Sequence, residues 1–195
     1  MSETNPQTTR DRILDAAEAV VVEDGVAQLT LDAVAARAGV SKGGLLYHFA
    51  GKDALVAGMV ERRMASFERH LAERMAYDPE RSGRFARAFA RDTFDATQDA
   101  AARDAGVAAA LLAALGTNPA LLGPAAARYE AWQRRLEHDG VDPALATLAR
   151  LTADGLFFAL MFGLAPPPAE LRGRVLEKLV GLLGAGQAGG HDTEG

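Results

Sequence analysis

The chain contains no cysteine. That excludes disulfides, thiolate metal sites and thiol nucleophiles together, and fits a reducing compartment, so the expected location is cytoplasmic. Aromatic residues are sparse, 6% of the total with one tryptophan. The four histidines, His48, His70, His138 and His191, are scattered, with no His or carboxylate at a spacing that makes a metal site. No metal or cofactor is expected. A Gly-X-Ser-X-Gly elbow is missing, and Gly43-Gly44 falls within a helical stretch rather than a phosphate-cradling loop. Arg91-Asp92 and His138-Asp139 read as surface pairs, which leaves no residues for catalysis, so the chain is not read as an enzyme. Positive charge is not in excess: the net charge of −5 argues against a protein that coats nucleic acid non-specifically, but permits a local basic patch. Long apolar runs are also lacking. The longest, Gly155 to Ala165, is far short of the ~20 residues of a membrane span, and the first residues, Met1 to Thr9, have no apolar signal-peptide core. No membrane partner is expected. Finally, no stretch keeps up a two-residue alternation, while alanine and leucine dominate. The fold class is therefore all-α, in one or two domains.

What is present is concentrated between Thr30 and Lys52. Thr30 is a good helix N-cap, followed by Leu31, Val34, Ala35 and Ala38 at helical spacing. Gly39 falls at the C′ position, where positive φ costs glycine little. Val40 is a buried peg in the turn, and Ser41 is a second N-cap. Leu45, Phe49 and Leu46 supply the apolar contacts of the next helix. Two short helices about a tight glycine turn form a helix-turn-helix, whose second helix is shaped for the DNA major groove. From Arg37 to Lys52 the charges are Arg37, Lys42 and Lys52, with no carboxylate among them, and Tyr47 and His48 lie between. An ordinary helical hairpin with a few surface cations shares the spacing. It does not share the order of cap, apolar face, glycine turn, cap and acid-free helix.

The remaining chain reads as helices, about nine in all. The first spans about Thr9 to Glu23, with Ile13, Leu14, Ala17, Val20 and Val21 on one face; its acids Asp11, Asp15, Glu18 and Glu23 are expected to face solvent. Arg10 is open to either a phosphate or a plain surface role. A helix from Lys52 to about Ala76 carries Leu55, Val56, Met59 and Val60, then Met64, Phe67, Leu71 and Met75. Others are expected over Pro79 to Thr97 (Phe85, Ala88, Phe89, Ala96, with an Arg91–Asp95 pair), residues 99–115, Pro119 to His138 with a bend near Gly123-Pro124, Pro143 to Phe162, and Ala169 to Leu183. Gly155, Ala159 and Gly163 form a small-residue groove in the eighth. Asp154, in that apolar helix, is expensive unless partnered; pairing with Arg150 ranks ahead of an interface or a pocket. The expected domains are 9–52 and 53–184, with disordered tails at 1–8 and 185–195.

The segment Ala-Gly-Val-Ser-Lys-Gly-Gly-Leu-Leu-Tyr-His-Phe-Ala-Gly-Lys-Asp-Ala-Leu resembles the signature of the tetracycline-repressor (TetR) family of bacterial transcriptional regulators, over roughly Arg10 to Leu55. Two positions depart from the pattern. Position 44, usually Thr or Ser, is Gly, and position 46, often Tyr, is Leu, so base preference does not carry over. The two adjacent glycines also weaken the second helix by ~1 kcal/mol each relative to alanine, which predicts partial fraying in the absence of DNA.

The resemblance implies an N-terminal three-helix DNA-binding domain and a C-terminal helical domain for ligand binding and dimerisation. The implied DNA contacts are Thr30, which also caps its helix, Ser41 and Lys42 at the recognition-helix start, Gly43 and Gly44 where the backbone nears the groove, Tyr47, His48 and Lys52. A homodimer through the last two helices is implied, with Leu148, Leu151, Gly155, Ala159, Phe162, Leu176 and Leu179 at the interface; the alternative is that both helices are the core of one chain. Helices four to seven would enclose a small-molecule effector, with Met64, Phe67, Phe85, Phe89, Trp132 and Phe157 as candidate lining, although each is also a fitting core residue. Met75 is a further large residue on the same helices. The implied function is a regulator, most simply a repressor, that binds a near-palindromic double-stranded operator and is released by an effector. A helical interaction module without sequence-specific DNA binding is the rival reading.

Overall fold

The computed structural model describes residues 8–95, 98–116 and 118–185. Among them are nine α-helices and no strand: α1 (Thr9–Asp24), α2 (Leu31–Ala38), α3 (Lys42–His48), α4 (Lys52–Tyr77), α5 (Arg84–Phe94), α6 (Gln98–Leu115), α7 (Gly123–Glu137), α8 (Pro143–Phe162) and α9 (Ala169–Ala185). The expected disorder of residues 1–7 and 186–195, and the place of Ala96 in the fifth helix, lie outside the described residues. Thr8 belongs to no loose tail: its side chain accepts from the Asp11 amide and caps α1. The helices form two compact units, one of residues 1–64 and 102–125, the other of 65–101 and 126–195. The division falls within α4, beyond the Lys52 boundary read from sequence.

In the first unit, α1 packs on α2 and α2 on α3. Ile13, Leu14, Val34, Leu45, Leu55 and Met59 are completely buried. Val107, Ala110 and Ala114 of α6 complete the same core, with Leu121 packed against it. Gly58 marks a close approach, since a Cβ there would lie 2.7 Å from the Phe49 ring. The acids of α1 do more than face solvent. Arg62 of α4 pairs with Asp15 at 2.6 Å and Glu18 at 2.7 Å, tying α4 to α1, and Asp24 and Glu23 both pair with Arg37 of α2. Asp104 of α6 is buried and paired with Arg63 of α4.

In the second unit, α5 packs on α8 and α9. Small side chains meet there: Ala86 and Ala90 are buried on α5, and Ala146, Ala149 and Ala153 on α8. The fifth helix begins at Arg84, not at Pro79, because Gly83 adopts φ 71°, outside the helical region. The donors this leaves at its first turn are met from a distant part of the chain, where the Asp139 carboxylate accepts from the amides of Phe85 at 3.2 Å and Ala86 at 2.8 Å. Burial pushes the Asp139 carboxyl up, against those two amides. The loop before α5 is held by Arg87, itself buried, which donates to both Asp78 oxygens (2.8 and 3.1 Å) and to the carbonyls of Ser82 and Glu80. The expected Arg91–Asp95 pair is not the one formed: Asp95 accepts from Arg74 of α4 at 2.9 Å. The bend expected near Gly123-Pro124 is a 3₁₀ turn, Pro119–Leu122, leading into α7.

By length and composition α8 is long and apolar enough to cross a membrane, 20 residues with mean hydropathy 1.5. Its uninterrupted apolar run remains Gly155 to Ala165, and a core helix of a soluble protein meets the same criterion. Arg150 and Asp154, which precede that run, pair with each other at 2.9 Å, so the helix carries one ion pair rather than two isolated charges. The pairing ranked first for Asp154 is thus the one found. Tyr129 also donates to Asp154 at 3.3 Å, and burial pushes its carboxyl up while Arg150 and Tyr129 pull it down.

Candidate functional site

The helix-turn-helix is built by local chemistry. Thr30 Oγ1 accepts from the Ala33 amide at 3.2 Å and starts α2; Gly39, with φ 65°, ends it; Ser41 Oγ accepts from the Gly44 amide at 3.0 Å and starts α3. A residue overlooked in the sequence secures the first of these helices: Arg12 of α1 donates to the Ala38 carbonyl at 2.8 Å, closing the C-terminal end of α2. Its signal was one of two arginines in the first turn of α1, indistinguishable in sequence from a surface cation.

Leu45 is the inward anchor of α3. Leu46 is not, as expected, a core contact: it is 40% exposed, because the anchor at 45 turns its neighbour outward. Tyr47 is the most exposed of the large side chains on this helix, at 86%, with its ring edge-on to His48 at 5.2 Å between centroids. Thr30, Ser41, Lys42, Gly43 and Lys52 are exposed, and Gly44 and His48 half-buried. The candidate contacts therefore share the outer surface of one small unit. Arg10 lies over the Phe49 ring, 5.1 Å from its centroid.

The acid-free run of the sequence does not survive folding. Lys42 Nζ meets Asp32 Oδ2 of α2 at 3.0 Å, and Arg37 is held by Glu23 and Asp24. From Ile13 to Met59 the six carboxylates Asp15, Glu18, Glu23, Asp24, Asp32 and Asp53 outnumber the cations Arg37, Lys42 and Lys52. Lys52 has no ion-pair partner among the described residues and stands at the first position of α4.

Of the candidate effector residues, Phe67, Phe85, Phe89 and Trp132 come together in the second unit. Phe67 lies 5.0 Å from Phe89 and 5.1 Å from Trp132, and Tyr129, not foreseen, is tilted against Trp132 at 4.9 Å. Phe85 joins through Phe89 at 6.3 Å. Trp132 Nε1 donates to Glu68 at 3.2 Å. Phe157 meets the ring of Phe158 instead, and Met64 belongs to the first unit, partly buried against its core. Met75 Sδ accepts from Arg135. The candidate interface residues divide as well. Leu148, Leu151 and Phe162 are about half exposed (48%, 54% and 49%), with no atom within 4 Å of a Cβ added at Gly155, whereas Leu179 is buried within its own chain. Leu176 and Ala159 are half-buried.

Two short capped helices about a left-handed glycine, the second facing outward, are a helix-turn-helix, the motif of a class of DNA-binding proteins. Comparison with known proteins gives the particular family. Residues 13–59 match the family described as bacterial regulatory proteins, tetR family, and residues 83–184 the tetracyclin repressor-like C-terminal domain. The chain belongs to the TetR family, whose members are transcriptional regulators rather than enzymes, with the family's helix-turn-helix part followed by its C-terminal domain. Among curated relatives it is 40% identical over 62 residues to the HTH-type transcriptional regulator SrpR of Pseudomonas putida, covering 32% of this chain and 29% of SrpR. It is 42% identical over 60 residues to TtgW, an uncharacterized HTH-type transcriptional regulator also of Pseudomonas putida, covering 31% and 45%. The chain thus spans less than half the length of the curated relatives it matches. Over nearly the whole chain it is similar to solved structures. A transcriptional regulator from Rhodococcus sp. Rha1 has TM-score 0.71 and 26% identity, with 90% of this chain and 96% of that one covered. The multidrug binding protein EbrR, complexed with ethidium, has TM-score 0.64 and 28% identity, with 88% and 98% covered.

Proposed function

We propose that the protein is a homodimeric repressor that binds a near-palindromic operator and is released from it by a small molecule. The observation that carries the reading is the outer surface of α3, where Lys42, Gly43 and the 86% exposed Tyr47 stand clear of the core on a helix anchored by Leu45. In the proposed docking, the N-termini of α2 and α3 offer Thr30, Ser41 and their amides to phosphate. Lys42 and Tyr47 reach base edges or phosphate, Gly43 and Gly44 let the backbone near the groove, and His48 and Lys52 hold the phosphates on either side.

One such helix contacts few base pairs, and two presented ~34–36 Å apart by a twofold axis cover adjacent turns of a duplex. The half-exposed Leu148, Leu151, Phe158 and Phe162 of α8, beside the open Gly155, support a second copy as the cover for this face, with two helices from each chain. Solved relatives include EbrR with ethidium and with malachite green, and a SmeT–triclosan complex. With the Phe67–Phe89–Tyr129–Trp132 cluster of this chain, they support an aromatic effector. Release follows if the effector favours a position of α4, which runs through both units, in which the two recognition helices no longer match the duplex. A coupling of ~1–3 kcal/mol would change DNA affinity ~5–150-fold.

The test is selection of a binding site from a random duplex library, followed by salt titration of Lys52→Ala and Tyr47→Ala. Lys52→Ala should lower the salt slope by about one unit, and Tyr47→Ala should weaken operator binding by ~1–3 kcal/mol while the fold and dimer persist. Unchanged affinity in both variants would overturn the docking. Flat, weak binding to every duplex would favour the interaction module.

A further inference from the structure

The Asp32–Lys42 pair is a carboxylate in the place where a DNA-binding surface has least use for one. Asp32 is the second residue of α2, two on from the cap Thr30, and Lys42 is the first residue of α3, next to the cap Ser41. The pair spans 3.0 Å, and both side chains are open to solvent, 72% for Asp32 and 55% for Lys42. Asp32 is not needed to cap its own helix, since Thr30 Oγ1 already accepts from the Ala33 amide. Its carboxylate, in the first turn of α2, is left to accept from Lys42.

We infer that Asp32 is a specificity-determining residue: it neutralises Lys42 in the free protein and penalises binding to duplexes that offer Lys42 nothing but phosphate. This rests on the DNA-binding surface proposed above. Non-specific attraction comes from cations that replace counterions along the backbone, and a lysine already held by a carboxylate contributes little. A duplex of the wrong sequence brings phosphate toward the Asp32 carboxylate without a compensating partner for Lys42. A matched operator places base-edge acceptors, such as guanine O6 and N7, where Lys42 leaves Asp32 for them. Discrimination then comes from a cost laid on the wrong duplex rather than from added contact with the right one.

The experiment measures the affinity of the full-length protein for the duplex selected by the wild type and for a scrambled duplex of equal length and composition, each across a salt series. Asp32→Asn should tighten binding to the scrambled duplex about 2- to 5-fold, the range of an exposed pair, and steepen its salt slope by about one unit. Operator affinity should change less, so the ratio between the two falls. Asp32→Glu should restore the ratio. In a Lys42→Ala background the effect of Asp32→Asn should disappear, and Glu170→Gln, an exposed acid on α9, should not reproduce it. Thermal melts confirm that each variant is folded. Equal tightening on both duplexes, or an Asp32→Asn effect that persists without Lys42, overturns the inference and leaves the DNA-binding reading standing. A wild type that prefers no sequence overturns both.

Discussion

In the first unit Ile13, Leu14, Val34, Leu45, Leu55 and Met59 are wholly removed from solvent, and the charged residues form pairs around them. In the second unit Leu148, Leu151, Phe158 and Phe162 keep about half of their surface exposed on a helix whose other face, Ala146, Ala149, Ala153 and Leu156, is buried. The first closes its main core within one chain and leaves Leu46 and Tyr47 of α3 exposed. The second has one apolar face spent on its own core and another left uncovered, the pattern expected of a surface that needs a partner. The two also differ in what secures their loops. The turn between α2 and α3 rests on Gly39, Val40 and two hydroxyl caps, while the approach to α5 rests on the buried Arg87–Asp78 pair and on the distant Asp139. The α2–α3 turn thus needs no ion pair of its own, whereas the approach to α5 depends on a buried one; elsewhere the first unit also carries ion pairs, among them the buried Asp104 with Arg63.

The contrast can be broken at four points. Arg87→Ala leaves Asp78 without its buried partner and frees two loop carbonyls, and should cost about 3–5 kcal/mol in denaturant unfolding. The associated pH dependence has a definite sign. The hydrogen bond from Arg87 holds the Asp78 carboxyl below its ordinary 3.8, so its stabilisation is complete above that value and is lost as pH falls through the lowered one. Melting temperatures measured from neutral into acid pH should fall less steeply in Asp78→Asn than in the wild type; identical curves would separate the loop from this pair. Next, Leu45→Ala should cost about 2–5 kcal/mol by opening a cavity beneath α3, read by the same unfolding measurement.

Leu151→Glu tests the uncovered face. Within one chain it should be nearly neutral, but it should weaken a dimer by about 2 kcal/mol or more, seen by sedimentation as dissociation at concentrations where the wild type is paired. A wild type that sediments as a single chain, or that partitions into lipid vesicles through α8, would remove the twofold assembly. The smallest effect belongs to Gly43→Ala. A Cβ there meets only Ser41 Oγ, at 4.0 Å, so the variant should firm α3 by up to ~1 kcal/mol, measured by amide hydrogen exchange over residues 42–48. Strong protection of that segment already present in the wild type would show that the paired glycines leave no fraying to remove.

The all-α class, the two caps at Thr30 and Ser41, the αL glycine at 39 and the limits of α8 were legible in the amino-acid order alone, because each depends on residues within a turn or two of one another. The i, i+4 pairing of Arg150 with Asp154 was legible for the same reason. Tertiary structure alone decided the rest. The start of α5 depends on a carboxylate more than fifty residues away, Asp95 prefers Arg74 to its helical neighbour Arg91, and the apparently acid-free α3 receives Asp32 from α2. Formal charge counted along the chain says nothing of which carboxylate the fold brings within 3 or 4 Å, and at that range Coulomb attraction and hydrogen bonding outweigh any property of the local run. Sequence determined which helices form and where they stop. Folding decided which charges remain free to meet a duplex.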